Sequence, residues 1–206
     1  DFDAVSTMGD ISLSSYKGKW IVFFSHPNDF SPICTTEIIG LAKADTYFKK
    51  INTELIGISV DSLNSHLAWL YDIYLKTGLI VNFPIIADQN GVIARKYGMI
   101  SNDVSSTETV RNIFIIDDKG IIRSIFVYPM NIGRYIPEIL RTVTALQYSD
   151  QNNCMTPANW SPGNPMIVPP PKTFNALRER NESINKNRNG MCWYLSFKNP
   201  ETKKLE

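Results

Sequence analysis

The sequence predicts an α/β sandwich in which helices flank a central mixed β-sheet, followed by a small C-terminal extension. Two apolar segments, residues 20–25 and 55–60, enclose a helix-like segment at 35–50. A crossover of this length makes the two strands parallel. A turn at 117–120 between two further β-like segments then indicates an antiparallel hairpin. The combination of parallel and antiparallel pairing predicts a mixed sheet.

The middle of the chain continues this alternation. Asp61 and Ser62 precede a helix predicted at about 64–75. We expect four apolar residues of this helix to face the core: Leu67, Leu70, Tyr71 and Tyr74. A short strand at 83–88 follows, and a short helix after it is predicted to stop at Gly98.

The hairpin and a long helix complete the predicted sandwich. Its strands are residues 111–116 and 121–127, and Gly120 supplies the positive φ of the turn. Residues 132–146 read as an amphipathic helix with one apolar stripe, made of Ile132, Ile136, Ile139, Leu140, Val143 and Leu146. The order βαβ, helix, hairpin, helix fits a thioredoxin-like sandwich.

The composition changes after Gln147. Polar residues and prolines accumulate, including a stiff run at 169–171. We therefore expect a main domain at 1–148 and an extension at 149–206 that packs on the main domain or on a partner subunit. Because the chain begins at Asp1 rather than Met, we expect residues before it; a native and a vector-derived origin are both open for Leu205-Glu206.

The overall composition excludes several classes of protein. A net charge of +1 gives no electrostatic case for binding nucleic acid or an acidic membrane surface, and no apolar run is long enough to span a bilayer. Three cysteines do not make a disulfide scaffold, so we expect a reducing compartment, the cytoplasm. The scattered histidines and cysteines lack metal-site spacing, and we expect neither a metal nor a cofactor.

Cys34 stands where a predicted strand passes into a helix. The N-terminus of a helix carries partial positive charge and free backbone N–H groups. This setting favours the thiolate, which is the nucleophilic form of cysteine. The competing interpretation of one cysteine in an apolar context is an inert core residue.

The residues around Cys34 decide between the two interpretations. Pro27-x-x-x-Ser31-x-x-Cys34 matches the active-site motif of peroxiredoxins, and the whole run from His26 to Glu37 resembles the 1-Cys (peroxiredoxin 6) subfamily, archaeal or bacterial in type. Further similar segments include 65–69, 83–88 and 156–160, so the resemblance covers about residues 20–171. It implies a peroxidase domain of the AhpC/TSA type with the C-terminal peroxiredoxin extension.

The resemblance implies a thiol peroxidase that reduces hydrogen peroxide and alkyl hydroperoxides. Cys34 would be the nucleophile and become a sulfenic acid, the first stage of cysteine oxidation. Arg111 matches the active-site arginine of the family, where fixed positive charge favours the thiolate and polarises the O–O bond. The Ser31 hydroxyl can hold a peroxide oxygen, Pro27 and Pro32 would shield the sulfur from water, and Glu37 would orient the arginine.

The roles of two histidines and two cysteines are interpreted separately. His26 is either a polar residue at a strand end or, as the subfamily implies, a supporting residue near the active site. His66 is interpreted as structural. The C-terminal Val-Cys-Pro motif of typical two-cysteine members is absent, which leaves Cys192 as a candidate resolving cysteine or a free tail thiol; Cys154 is a weaker redox candidate.

The resemblance also implies partners and raises two competing functions. The reductant would be a thioredoxin-like protein or a small thiol, and the assembly a homodimer or a ring of dimers. A redox-sensitive holdase is the alternative function. Phospholipase activity, known in some members, is not expected because Lys19 stands where the nucleophilic serine of that motif would be.

Overall fold

The computed structural model of this protein describes residues 1–101, 103–187 and 189–199. Leu205 and Glu206 lie outside the described residues. The chain forms two compact units, Asp1–Ile136 and Pro137–Glu206. Within the described ranges, no helix combines the length and the apolar character that crossing a membrane requires.

A seven-stranded mixed sheet organises the first unit. Its strands are β1 (Asp3–Ser6), β2 (Gly9–Ser12), β3 (Trp20–Ser25), β4 (Thr53–Ser59), β5 (Ile85–Ala87), β6 (Arg111–Ile116) and β7 (Ile122–Tyr128). They lie in the order β2-β1-β5-β4-β3-β6-β7. β3 pairs in parallel with β4 and antiparallel with β6, and every residue of β3 is buried. The predicted fold class, a mixed sheet flanked by helices, is confirmed.

Four helices connect or follow these strands: α1 (Pro32–Lys50), α2 (Leu63–Thr77), α3 (Val92–Lys96) and α4 (Ile136–Asn152). α1 joins β3 to β4 as expected, but it begins three residues before the predicted start at position 35. The Ser31 side chain accepts a hydrogen bond from the backbone N–H of Cys34, and Pro32 occupies the first turn. Cys34 therefore lies within the first turn of α1 instead of before it.

The predicted inward face of α2 is wrong. The structure exposes Leu67, Tyr71 and Tyr74 and leaves Leu70 half-buried. The face that is buried carries three other residues: His66, Trp69 and Ile73. Apolar residues cover two sides of this helix, so periodicity alone could not choose between them. The buried side includes a histidine whose ring nitrogens both have partners inside the protein.

The helix predicted at 132–146 begins later than expected. Ile132 is exposed and its N–H closes a turn onto the carbonyl of Pro129. α4 starts at Ile136, and Pro137 in its first turn needs no hydrogen-bond acceptor there. The hairpin turn agrees with the prediction, since Gly120 has φ +83° and its N–H bonds to the carbonyl of Asp117.

The second unit contains elements that the sequence did not predict. Its three-stranded antiparallel sheet consists of β8 (Met166–Ile167), β9 (Gly190–Cys192) and β10 (Leu195–Lys198), in the order β8-β10-β9. Helix α5 (Phe174–Asn187) lies between β8 and β9 in the chain. These strands, like the four-residue β1 and β2, are too short to show a hydrophobic period.

Candidate active site

The end of β3 and the start of α1 place Cys34. The Cys34 side chain is fully buried. Its backbone N–H donates to Ser31 Oγ at 3.3 Å, and the N–H of Thr35 donates to the Ser31 carbonyl at 2.9 Å. Ser31 is half-buried and Pro27, at the start of the loop, is buried, whereas Pro32 is exposed. The hydroxyl that the sequence motif singles out is therefore fixed beside the backbone of the cysteine.

Arg111 reaches the sulfur from the neighbouring strand. Because β6 runs antiparallel to β3, its first residue lies near the end of β3 that leads to α1. Arg111 Nη1 donates to Cys34 Sγ at 3.3 Å and to Glu37 Oε2 at 2.8 Å. Its Nε donates to the carbonyl of Met130 at 3.0 Å. These contacts hold the buried guanidinium in one orientation against the sulfur.

Glu37 lies one turn after Cys34 on α1 and binds a second arginine. Arg134 donates to Glu37 Oε1 from its backbone N–H and from Nε, both at 2.9 Å, and to Oε2 from Nη2 at 2.6 Å. Arg134 Nη1 also donates to the carbonyls of Ser25 and Asn112. Sequence reasoning did not propose Arg134 as a site residue; the only signal was its place in a segment similar to the subfamily.

The charges of this group do not cancel when the thiol is neutral. Arg111, Arg134 and Glu37 are all buried, and two guanidinium groups face one carboxylate. A buried charge is stable only when it is paired and hydrogen-bonded. A thiolate on Cys34, in direct contact with Arg111, supplies the missing negative charge. The arrangement thus suits a cysteine that reacts as an anion.

A second buried cluster surrounds Asp29 in the loop between β3 and α1. His26 Nε2 lies 3.0 Å from Asp29 Oδ1, and His66 Nδ1 lies 2.8 Å from Asp29 Oδ2. His66 Nε2 lies 3.2 Å from the carbonyl oxygen of Ile86. Burial by itself would raise the pKa of Asp29, but the hydrogen bonds from the two histidines hold this pKa well below its usual range. Burial lowers the pKa of His26, against the opposing effect of Asp29.

Among the residues that the structure describes, the same three have atoms placed closely enough to suit a metal ion. His26, Asp29 and His66 each offer one ligand atom, and these atoms lie within 4.8 Å of one another. Spacing along the sequence gave no sign of this cluster. The hydrogen bonds between the three side chains already satisfy those atoms, so the geometry does not require a metal.

The loop itself is strained at one residue. Phe30 has φ +56°, a left-handed conformation that costs a residue with a side chain roughly 1–2 kcal/mol. Its exposed ring lies 6.5 Å from the Trp69 ring, centroid to centroid. Such a conformation persists only where the surrounding contacts fix the chain on both sides.

The other candidate residues lie away from this group or in the second unit. Cys154 is buried, Cys192 is half-buried on β9, and all three cysteines of the chain are free thiols. The pKa of Tyr194 is raised by its hydrogen bond with Cys192. Lys19, just before β3, pairs with Glu54 on the protein surface.

The chain is similar to known proteins over nearly its whole length. The model of the AhpC/TSA family matches residues 1–125, and that of the C-terminal domain of 1-Cys peroxiredoxin matches residues 145–183. The chain is 52% identical to peroxiredoxin 2 of Caldanaerobacter subterraneus subsp. tengcongensis over 200 residues, which span 96% of this chain and 89% of the relative. It is 49% identical to peroxiredoxin 2 of Picrophilus torridus over 195 residues, 95% of this chain and 94% of the relative.

Two solved structures have the same fold. The yeast mitochondrial 1-Cys peroxiredoxin superposes with a TM-score of 0.83 at 39% identity, covering 96% of this chain and 95% of that one. A mutant of peroxiredoxin 6 from Arenicola marina gives a TM-score of 0.84 at 32% identity, covering 98% of this chain and 95% of that one. The chain therefore belongs to the peroxiredoxins, a family of thiol-dependent peroxidases, and within it to the 1-Cys (peroxiredoxin 6) subfamily.

Proposed function

We propose that this peroxiredoxin reduces hydrogen peroxide and alkyl hydroperoxides with Cys34 as its nucleophile. The observation that carries the proposal is the contact of Arg111 Nη1 with Cys34 Sγ, 3.3 Å apart and buried. A fixed guanidinium stabilises a sulfur anion and can donate to a peroxide oxygen without reorganising during the reaction. Within the part of the chain that the structure describes, this is the arginine–cysteine hydrogen bond that a thiolate could use.

The reaction is a displacement at oxygen. The Cys34 thiolate attacks one peroxide oxygen, the S–O bond forms as the O–O bond breaks, and the other oxygen leaves as hydroxide or alkoxide, which takes up a proton. Cysteine is oxidised to sulfenic acid and the peroxide is reduced to water or an alcohol. Two thiol equivalents of a reductant then return the sulfenic acid to the thiol, with release of water and a disulfide.

The neighbouring residues have separate proposed roles. The Ser31 hydroxyl, beside the Cys34 backbone, would bind a peroxide oxygen in line with the sulfur, since a hydroxyl can both donate and accept. Buried Pro27 would keep water from the sulfur. Glu37 orients Arg111 through their 2.8 Å hydrogen bond and does not itself react. His26 is proposed to have a supporting role near the active site, because it contacts Asp29 in the loop that leads to Cys34.

Replacing the nucleophile tests this function. Cys34→Ser removes the sulfur with the least change in volume and is expected to abolish peroxide consumption in the presence of a dithiol. The matched control is the double variant Cys154→Ser/Cys192→Ser, which keeps Cys34 and is expected to form its sulfenic acid at the wild-type rate. Peroxide turnover by the Cys34→Ser variant at the wild-type rate would refute the proposal.

We also propose candidates for the reductant and for the cysteine that resolves the sulfenic acid. A thioredoxin-like protein or a small thiol would reduce the sulfenic acid; in the yeast mitochondrial relative, thiol resolution proceeds via glutathione and thioredoxin systems. We propose Cys192 as the candidate resolving cysteine, supported by its free, half-buried thiol. Peptide mass mapping after one equivalent of peroxide decides this. A Cys34–Cys192 disulfide supports the proposal, and a persistent sulfenic acid at Cys34 contradicts it.

Two other activities are less well supported. A redox-sensitive holdase would suppress the aggregation of client proteins, and comparing wild type with Cys34→Ser separates this holding activity from peroxidase chemistry. Phospholipase activity is not proposed, because Lys19 stands at the serine position and its ammonium group pairs with Glu54. Hydrolysis of liposomes that is sensitive to serine reagents would contradict that view.

The organisation and location of the protein are also proposals. The two family matches, residues 1–125 and 145–183, support a peroxidase domain at 1–148 and an extension at 149–206. Three free thiols support a reducing compartment, and we propose the cytoplasm. We also propose a homodimer or a ring of dimers as the assembly.

A further inference from the structure

The loop between β3 and α1 is held at Asp29 through both backbone and side chain. The Asp29 N–H donates to Asp61 Oδ2 at 3.1 Å, and that carboxylate also accepts from Ser59 Oγ. The Asp29 carboxylate meets His26 from the end of β3 and His66 from α2. One loop residue is thus bound to the residue that follows β3, to the turn between β4 and α2, and to α2 itself.

Both histidines present a ring nitrogen to the Asp29 carboxylate. His66 Nδ1 lies against Asp29 and its Nε2 against the Ile86 carbonyl, and since a carboxylate only accepts, Nδ1 is the donor to Asp29. His26 donates to Asp29 from Nε2, and its buried Nδ1 has no hydrogen-bond partner among the described residues. The site of Asp29 therefore needs a group that accepts from two N–H donors. A carboxylate offers both of its oxygens, whereas in a carboxamide the NH₂ group that replaces one oxygen would face a histidine N–H donor.

Two residues, Phe30 and Ser31, connect Asp29 to Cys34 along the loop. Phe30, next to Asp29, is in the left-handed conformation, which its own backbone does not favour. Ser31 follows and holds the backbone of Cys34. If Asp29 were released, Phe30 could return to an ordinary conformation, and the Ser31 hydroxyl would move relative to the sulfur.

We propose that Asp29 is a positioning residue for peroxide reduction, whose carboxylate, held between the imidazoles of His26 and His66, keeps Ser31 in place beside Cys34. Asp29 acts through the loop and does not touch the reacting atoms. The inference rests on the proposed function of Cys34. It predicts that loss of the carboxylate impairs the reaction with peroxide more than it impairs the cysteine itself.

Asp29→Asn tests the proposal, with Asp72→Asn as the matched control. Asp72 is a half-buried aspartate of α2 whose carboxylate accepts a hydrogen bond from Lys76 on the same helix, so its change removes a carboxylate that is paired within α2. Two rates are measured on the full chain at one pH. The first is the second-order rate constant of Cys34 with hydrogen peroxide. The second is the rate of Cys34 alkylation by iodoacetamide, followed on the Cys34 peptide by mass spectrometry.

The ratio of the two rates separates positioning from a structural role. We expect Asp29→Asn to lower the peroxide rate constant at least about tenfold, because small displacements of reacting groups are costly, and to change alkylation less than about threefold. Asp72→Asn should change neither. Parallel changes in both rates, or a peroxide rate within about twofold of wild type, would overturn the inference. If Asp29→Asn does not fold, His66→Leu, which has no N–H group to donate to Asp29, is judged by the same ratio.

The experiment also distinguishes a failure of this inference from a failure of the proposed function. If wild-type Cys34 does not react with peroxide, the proposed function fails before Asp29 is considered. If wild type reacts and Asp29→Asn reacts equally fast, only the positioning role is lost.

Discussion

The charge balance of the candidate active site depends on the carboxylate of Glu37. This carboxylate accepts hydrogen bonds from Arg111 and Arg134, and all three side chains are buried. Cys34 and Glu37, three residues apart on α1, present sulfur and carboxylate to the same guanidinium. Removal of one partner from a buried ionic group leaves uncompensated charge, which is far more costly than the loss of an exposed pair.

Glu37→Gln is therefore expected to lower the free energy of unfolding by about 3 kcal/mol and to slow the reaction of Cys34 with peroxide. Glu138→Gln is the matched control, because Glu138 also binds an arginine, Arg141, but both side chains of that pair are about one-third exposed. Glu138→Gln should lower the free energy of unfolding by less than about 1 kcal/mol. Urea unfolding measures both, and equal costs for the two variants would refute the special role of Glu37.

At the start of α1, the residue that caps the helix is also a candidate active-site residue. Ser31 caps α1 by accepting from the N–H of Cys34, as Ser62 caps α2 by accepting from the N–H of Ser65. The two caps satisfy the same kind of unpaired backbone donor. Only the first also places its hydroxyl beside a cysteine that is in contact with an arginine.

This pair of caps allows a comparison within one chain. Ser31→Ala and Ser62→Ala should each lower the free energy of unfolding by about 1 kcal/mol. Only Ser31→Ala should also reduce the rate constant with peroxide, by roughly 10²-fold, which is the usual cost of losing one positioned donor. Ser31→Thr keeps the hydroxyl and should retain most of the rate. Equal peroxide rates for the two alanine variants would exclude a substrate role for Ser31.

The whole first unit presents an open sheet edge at β7. This strand is the last in the sheet order, and Ile122, Ile125 and Val127 expose apolar side chains along it. An exposed apolar edge strand tends to pair with another chain, and proteins that remain monomeric usually protect such edges with charges. The edge supports the proposed homodimer, in which β7 of one copy would pair with β7 of the other.

Val127→Lys is expected to convert the dimer to monomer, because the interface would have to bury an unpaired ammonium group. Val92→Lys on α3 is the matched control, since the two valines are equally exposed, 68% for Val127 and 67% for Val92. Size-exclusion chromatography with light scattering gives the molar mass of each variant. A Val127→Lys dimer as stable as the Val92→Lys dimer would exclude β7 from the interface.

Sequence reasoning succeeded where the signal was local. Buried strands such as 20–25 read as continuous apolar runs, the turn at Gly120 needs a positive φ, and the motif from Pro27 to Cys34 identified the family. It failed on α2, where two sides of the helix are apolar, and on the two- to four-residue strands, which are too short for a period. The early start of α1 was signalled by Ser31 and Pro32, a cap followed by a proline.

The sequence by itself determined the α/β class, the family and the cysteine at the strand–helix junction, because these depend on periodicity and on residues close together in the chain. The family resemblance had also implied Arg111 and Glu37, but only the tertiary structure added Arg134 and the Asp29 cluster to the surroundings of that cysteine. Arg134 lies 97 residues from Glu37 in the chain, and His66 lies 37 residues from Asp29, yet each pair is in hydrogen-bond contact. The pairing of β6 with β3 and the packing of α2 bring such partners together, and no local pattern encodes that proximity.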